Sequence, residues 1–423
     1  MPRIFPFYGW RYNQDLVADL RQVVTPPYDV ISSEDQERFY ARSPYNYIRL
    51  LLNKTTGDEK YHDAAKHLRE WQESGVLIRE EEKVFYLLSQ VYEQDGKEIR
   101  RSGIVAELEI EEFGGSVLPH EQTMEKHIAD RYRLMETTYS NLGQIFMSYR
   151  DVDMTVESVQ EDVINTEPLM DMMLEDEIRY QIWRISDPES INDIQNVLED
   201  TNAIIMDGHH RYKTALRFAM DHPEALGSDR VMVTLVNTYN PGLNILPTHR
   251  KLTNLPMDFN EALSKLYENF DVTEVADPDA LLEVIRDTES KAKKTRFGLY
   301  HRESESSYIL QFKNPGILED VFSRKSQASR ESDLNILHHF VLKDAFGIDT
   351  NSDADIEKVS YIRGSDSPVD FINSERDYEV ICFVNPPDLD EVFAIAESGE
   401  TMPQKSTYFY PKVNSGLILR CFG

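Results

Sequence analysis

The chain has 423 residues, and its 45 basic against 75 acidic side chains give a formal net charge of −30. Nucleic-acid binders need a cationic surface to displace counterions, so this balance argues against DNA or RNA as a partner and disfavours anionic membranes. A hydrophobic content of 40% suits a folded globular protein, long enough for a large core and two domains.

No apolar run reaches the ~20 residues that a membrane helix needs. Met1–Trp10 lacks the basic-then-apolar pattern of a signal peptide, and the expected location is cytoplasmic. Cys382 and Cys421 lie in apolar, strand-like runs and read as buried thiols.

Residues 1–31 read as extended and aromatic. Pro26-Pro27 forbids helix and presents Tyr28 and Asp29 rigidly, either as a core-packing loop or as part of a site. Ser32 or Ser33 caps a predicted helix through Arg38 and Phe39. Asn46–Leu52 reads as a strand and Tyr61–Ser74 as a helix closed by Gly75. Val84–Val91 and Arg100–Ile110 pair as a hairpin around Gln94-Asp95-Gly96.

His120-Glu121-Gln122-Thr123 follows a loop with Gly114-Gly115 and Pro119. The second histidine of His-Glu-x-x-His is missing, so this is no zincin motif. A helix over Glu121–Met135 would carry Glu121, Met124, Ile128 and Met135 at inner and boundary positions. His127 and Arg131 would then lie one turn apart, beside Asp130. That mixture suits a substrate-anion site with an acid or base at its edge. The competing reading is a solvated face with intrahelical ion pairs. Residues 151–200 hold 15 acids and two bases, Arg179 and Arg184, and read as a solvated acidic face. Ile178, Ile182 and Trp183 make folded helices the expectation there.

The chain's chemistry concentrates in Ala203–Lys213, read as a buried strand, a turn and a helix. Asp207, Gly208, His209, His210 and Arg211 occupy five consecutive positions. Strand, polar turn, helix and a further strand at Val231–Val236 form the kind of unit in which α/β proteins place chemistry. The unpaired first amides and dipole of the helix favour an anion, and Arg211 offers a bidentate fork. Asp207 can orient an imidazole, hold a metal-bound water or take a proton; the plain alternative is a helix cap.

Beyond the Asn240-Pro241-Gly242 turn, a second basic pair, His249-Arg250, follows Pro247-Thr248, and a domain boundary is expected near Leu255. The C-terminal half reads as helices at Asn260–Asn269, Pro278–Asp287, Asp333–Phe346 and Asp388–Glu397. Strands are expected at Phe297–Tyr300, Tyr308–Phe312 and Tyr378–Val384. His338 and His339 read as packing or surface residues, because no ligand set surrounds them. Met402–Lys412 carries two lysines, hydroxyls and no acid, which suits phosphate contacts through Lys405, Ser406 and Thr407, although it lacks Walker glycines. The alternative is an aromatic edge strand with solvent-facing lysines.

The order of Pro26–Ile31, His120–Thr123, Asp207–Tyr212, Pro247–Arg250 and Met402–Phe409 resembles domain-of-unknown-function family 1015 along nearly the full chain. The Asp-Gly-His-His-Arg corner is also similar to that of the ParB/sulfiredoxin-like superfamily, whose members bind phosphates there and include free-serine kinases. Sulfiredoxin chemistry needs a cysteine at the corner, where this chain has His209 and His210. The resemblance implies a mixed α/β (α+β) fold. Residues 1–254 would form a ParB/sulfiredoxin-like domain with insertions, and residues 255–423 a C-terminal α/β domain contributing the Lys-Ser-Thr loop.

The leading functional expectation is phosphoryl transfer, as kinase or phosphatase, on a small hydroxylated metabolite such as serine or phosphoserine. Asp207, His209, His210, His120 and Glu121 are the expected catalytic residues. Gly208, Arg211, Thr123, Arg131, His249, Arg250, Lys405, Ser406, Thr407 and Lys412 are expected to bind substrate or phosphate. Mg²⁺ and ATP or ADP are the expected cofactors. The alternatives are a nucleotide-binding regulatory module whose acidic surface meets a protein partner, or a metal hydrolase using His120, Glu121, Asp207 and His209. No short spacing gives a standard metal-ligand set. Reaction direction, substrate, nucleotide and oligomeric state are not readable from the sequence.

Overall fold

A computed structural model describes residues 2–94, 96–123, 125–199, 201–286, 295–364 and 367–422. Asp95 of the hairpin turn, Met124 and Asp287 lie outside the described residues. The fold is mixed α/β and divides into two compact units. The first comprises Met1–Pro119, Thr123–Asn244 and Pro411–Gly423; the second comprises His120–Gln122 and Ile245–Tyr410. This division differs from the expected bounds of 1–254 and 255–423. Residues 245–254 belong to the second unit, and the chain end returns to the first.

The first unit is built on a nine-stranded sheet. Its spatial order is Val117–Pro119, Ala203–Asp207, Ile145–Tyr149, Arg230–Asn237, Lys97–Glu109, Phe85–Gln94, Arg179–Ile185 and Met170–Met173, with Ile4–Phe5 also pairing with Lys97–Glu109. Ala203–Asp207 is antiparallel to Ile145–Tyr149, which is parallel to Arg230–Asn237. The strand–helix–strand stretch around Asp207 is therefore not a parallel crossover, because its two strands run antiparallel to each other on either side of Ile145–Tyr149. Alternation along the strands buries Leu87, Ile104, Ala106, Met147, Ile205 and Val233 in one core. The helices Glu125–Thr138 and His209–Asp221 pack together.

Several predicted elements form where local chemistry favours them. Ser32 and Asp35 make a reciprocal capping box for the helix Ser33–Arg42. Gly75, at φ +76°, ends the helix Glu59–Glu73. The acidic 151–200 segment forms helices at Thr155–Ile164 and Pro188–Glu199, and also supplies the edge strand Met170–Met173 and its inner neighbour Arg179–Ile185. Asn46–Leu52 is not a strand: the Asn46 side chain accepts from Ile48 N at 3.0 Å and starts a short helix, Ile48–Leu51. The short apolar run fitted either element. The helix expected from Glu121 is described from Glu125, because Glu121 instead bridges to Met402.

The second unit holds a six-stranded antiparallel sheet in the order Phe270–Val275, Ser306–Phe312, Arg296–His301, Val380–Phe383, Thr248–Leu252 and Val359–Arg363. One core joins Leu252, Phe297, Leu299 and Cys382 to Leu266, Phe340 and Ile395. A separate cluster gathers Leu281, Ile285, Phe371, Ile381 and Phe383. The expected helix Asp333–Phe346 is α-helical only to Ile336 and continues as a π-helix over Leu337–Ala345.

Candidate functional site

Three local devices make the corner in the first unit. The pairing of Ala203–Asp207 with Ile145–Tyr149 shifts register between Ile205 and Asp207, so Met206 sits in a bulge that re-aims Asp207. Gly208 then turns the chain at φ 99°, where a Cβ would stand 3.0 Å from Arg211 Nε. The 13-residue helix His209–Asp221 begins without a side-chain cap, leaving its first amides and dipole suited to an anion.

Asp207 is shared by two cations. Arg211 Nη2 donates to Oδ2 at 2.5 Å, and Lys412 Nζ donates to Oδ1 at 2.5 Å. Arg211 Nη1 also donates to the Gln144 carbonyl. Burial pushes the Asp207 carboxyl up, but Lys412 and Arg211 outweigh it and hold the group well below the usual carboxylate range. With both oxygens occupied and little affinity for a proton, Asp207 does not fit the expected general-base role. It is a strut between two cations.

A second cluster repeats the pattern. Asp130 accepts from Lys60 Nζ at 2.7 Å, Tyr61 Oη at 2.8 Å and Arg131 Nε at 2.9 Å. Burial raises its carboxyl, yet Arg131 and Lys60 hold it low. Arg131 also donates to the Leu51 carbonyl at 3.1 Å, and its guanidinium lies 4.3 Å above the Tyr28 ring. Arg131, Arg211, Tyr28, Gly143, Ser140 and Ser415 share the wall of one cavity, with no carboxylate among its described lining residues. Across the two clusters, Lys60, Arg131, Arg211 and Lys412 face Asp130 and Asp207, which leaves a positive surplus in a strongly acidic chain.

His209 is buried at the first helical position, within electrostatic reach of Asp207. The His210 ring meets His127 edge-on at 5.1 Å. The Thr123 hydroxyl is buried without a hydrogen-bond partner among the described residues. Lys60 and Gln144 join these clusters with no expectation from the sequence, whereas Tyr28 is one of two residues that read either as core packing or as part of a site. The Pro26-Pro27 signal marked Tyr28, whereas nothing local distinguishes Lys60 or Gln144.

In the second unit the His120 and Met402–Thr407 motifs form one structure. His120 Nε2 lies 2.9 Å from Thr407 Oγ1, and Lys405 N donates to Glu121 Oε1 at 3.2 Å. Met402 N donates to the His120 carbonyl at 2.9 Å. Lys405 adopts φ +55°, in the left-handed region that a lysine seldom occupies. The expected phosphate contact by Ser406 is not what its geometry provides: its buried hydroxyl donates to the Pro403 carbonyl at 2.6 Å and closes the turn.

Neighbours on the strand Thr248–Leu252, His249 and Arg250 point to opposite faces. His249 packs against Phe371 and Phe383, and its Nδ1 accepts from Val384 N at 3.1 Å. Burial, with Arg250 adding, pushes its pKa down to about 3, so it is neutral and not the expected cation. Arg250 is fully buried beside Tyr361 and His338, so His338 joins a polar network rather than simple packing.

Among the described residues, no group of three or more His, Cys, Asp or Glu side chains is placed to hold a metal ion. No helix among them is long and apolar enough to cross a membrane. The metal-hydrolase set is divided, with His120 and Glu121 in the second unit and Asp207 and His209 in the first.

These features define a two-unit mixed α/β protein with a cation-lined strand–helix corner. The chain belongs to the family described as Protein of unknown function (DUF1015), which matches residues 4–336. No curated protein matches it. Similar solved structures include a free serine kinase in complex with AMP, at 14% identity, covering 72% of this chain and 86% of that chain with a TM-score of 0.36. A conserved hypothetical protein from Pyrococcus furiosus matches at 12% identity, covering 73% and 92%, with a TM-score of 0.35. SbnI with a C-terminal truncation, from Staphylococcus aureus, matches at 11% identity, covering 73% and 84%, with a TM-score of 0.33.

Proposed function

We propose that this protein transfers a phosphoryl group to or from a small hydroxylated metabolite. Serine or phosphoserine is the substrate class implied by the resemblance of the corner motif. The observation that carries this reading is the positive surplus at the corner, where Arg211 and Lys412 flank one aspartate at a helix N-terminus beside a cavity with no carboxylate among its described lining residues. Phosphoryl transfer needs positioning and charge neutralisation above all, and both are inexpensive to supply from fixed cations.

In this reading Arg211, Lys412 and the first amides of the helix receive the phosphate of ATP, ADP or the phosphorylated metabolite. Asp207 positions the two cations. Arg131, stacked on Tyr28, orients the rest of the substrate, and His209, within electrostatic reach of Asp207, is the base. The corner does not fit a protein-held Mg²⁺, because both Asp207 oxygens already carry cations.

Phosphorus NMR tests the reading. The protein is mixed with ATP or ADP plus serine, and separately with phosphoserine, beside a folded Lys412→Met control. A new phosphomonoester signal lost in the control identifies a kinase, and free phosphate from phosphoserine identifies a phosphatase. Line broadening of the nucleotide without turnover would replace the reading with a nucleotide sensor. No change in any tube would overturn it.

A further inference from the structure

The second unit buries a cation, Arg250, on which the charge of Glu121 acts without ion-pair contact. Arg250 is 0% exposed, and among the described residues no carboxylate makes an ion pair with it. Its contacts are the Thr248 carbonyl, His338 Nε2 at 3.4 Å and the face of Tyr361 at 5.6 Å. A buried guanidinium left in this condition is costly unless an anion offsets it.

The direction of the hydrogen bonds follows from donor chemistry. Guanidinium only donates, so His338 Nε2 accepts. A neutral imidazole that accepts at Nε2 carries its proton on Nδ1. Nδ1 lies 2.8 Å from Thr350 Oγ1, so it donates there and the threonine's own hydrogen is directed onward. Three donors therefore run in one sense, from Arg250 through His338 to Thr350, and the chain ends at a hydroxyl.

That end opens on a cavity. His338, Thr350, Tyr361, Lys325, Lys343 and Gln404 stand in its wall. The Tyr361 hydroxyl is buried without a hydrogen-bond partner among the described residues. Among the described lining residues one is an aspartate, Asp349, which is paired with Lys343 at 2.8 Å. His338 sits on the π-helix Leu337–Ala345, a rare conformation that is frequent at functional sites.

We propose that this cavity binds a small anion, a phosphate or carboxylate group, at the Thr350 hydroxyl, where the donor chain that starts at Arg250 ends. The site lies wholly in the second unit and uses none of Asp207, Arg211 or Lys412, so it stands or falls apart from the phosphoryl-transfer reading.

Nitrogen-15 labelling of histidine in the intact chain reports on the site directly. The ring signals of His338 are identified by their loss in His338→Gln and are expected to show a neutral, Nδ1-protonated ring. Inorganic phosphate and, separately, acetate are titrated in. A saturable shift of the His338 signals supports the site, and the anion acting at lower concentration names the source. Thr350→Val is expected to raise the half-saturating concentration at least tenfold, and Thr350→Ser to restore it. No shift with either anion, an unchanged titration in Thr350→Val, or a doubly protonated His338 overturns the proposal.

Discussion

Lys412 Nζ lies 2.5 Å from Asp207 Oδ1 although 205 positions separate the two residues. The backbone around Lys412 is locked into the first unit. Gln90 Nε2 and Tyr180 Oη donate to the Lys412 carbonyl at 2.8 and 3.3 Å, and Arg101 donates to that of Pro411. The ammonium is thus delivered to the corner by fixed chain, not by a mobile tail.

Lys412→Met leaves mostly buried Asp207 with one cation instead of two. The expected cost is about 1–3 kcal/mol of stability, as for a charge losing its hydrogen-bond partner. Adding Asp207→Asn is expected to recover part of that loss. Denaturant melts of the two single variants and the double variant measure the coupling; purely additive effects would contradict the strut geometry.

Gly208→Ala places a side chain at φ 99° and 3.0 Å from Arg211 Nε. Left-handed backbone costs a non-glycine residue roughly 1–2 kcal/mol. Gly57, at φ +65° with open space around it, provides the control. Both alanine variants are expected to lower the thermal midpoint, but only Gly208→Ala should weaken phosphate binding in a calorimetric titration.

Arg131→Lys keeps the charge and loses both the fork to Asp130 and the planar stack on Tyr28. If Arg131 orients substrate, KM is expected to rise about tenfold with kcat little changed, which corresponds to about 1.4 kcal/mol. Steady-state kinetics on the substrate identified by phosphorus NMR checks this split.

Acid should destabilise the protein in two stages. Burial holds His249 and His338 neutral in the folded state, while the unfolded chain protonates them near the ordinary value of 6.5. Stability is therefore full above that value and declines as pH falls toward the folded value of His249, about 3. The slope is up to about 1.4 kcal/mol per pH unit for each histidine. Asp207 and Asp130, both held low, keep their contribution above the ordinary value of 3.8 and lose it as pH falls further. His249→Gln is expected to flatten the dependence of the thermal midpoint between about pH 6 and pH 4; an unchanged slope would remove His249 from the account.

The sequence by itself determined the elements whose cause is local. The capping box of Ser32 and Asp35, the glycine stop at Gly75 and the strand-to-helix corner at Gly208 each depend on residues within a few positions. The concentration of Asp207, His209, His210 and Arg211 was legible for the same reason. Only the tertiary structure decided what those side chains do. Asp207 looks like a base until Lys412 arrives from the chain end to occupy it. His249 looks like a cation until Phe371 and Phe383 desolvate it, and Ser406 looks like a phosphate donor until Pro403 takes its hydrogen. Propensity and spacing act over a few residues, whereas charge state and hydrogen-bond partnership depend on burial and on groups that distant segments bring into contact.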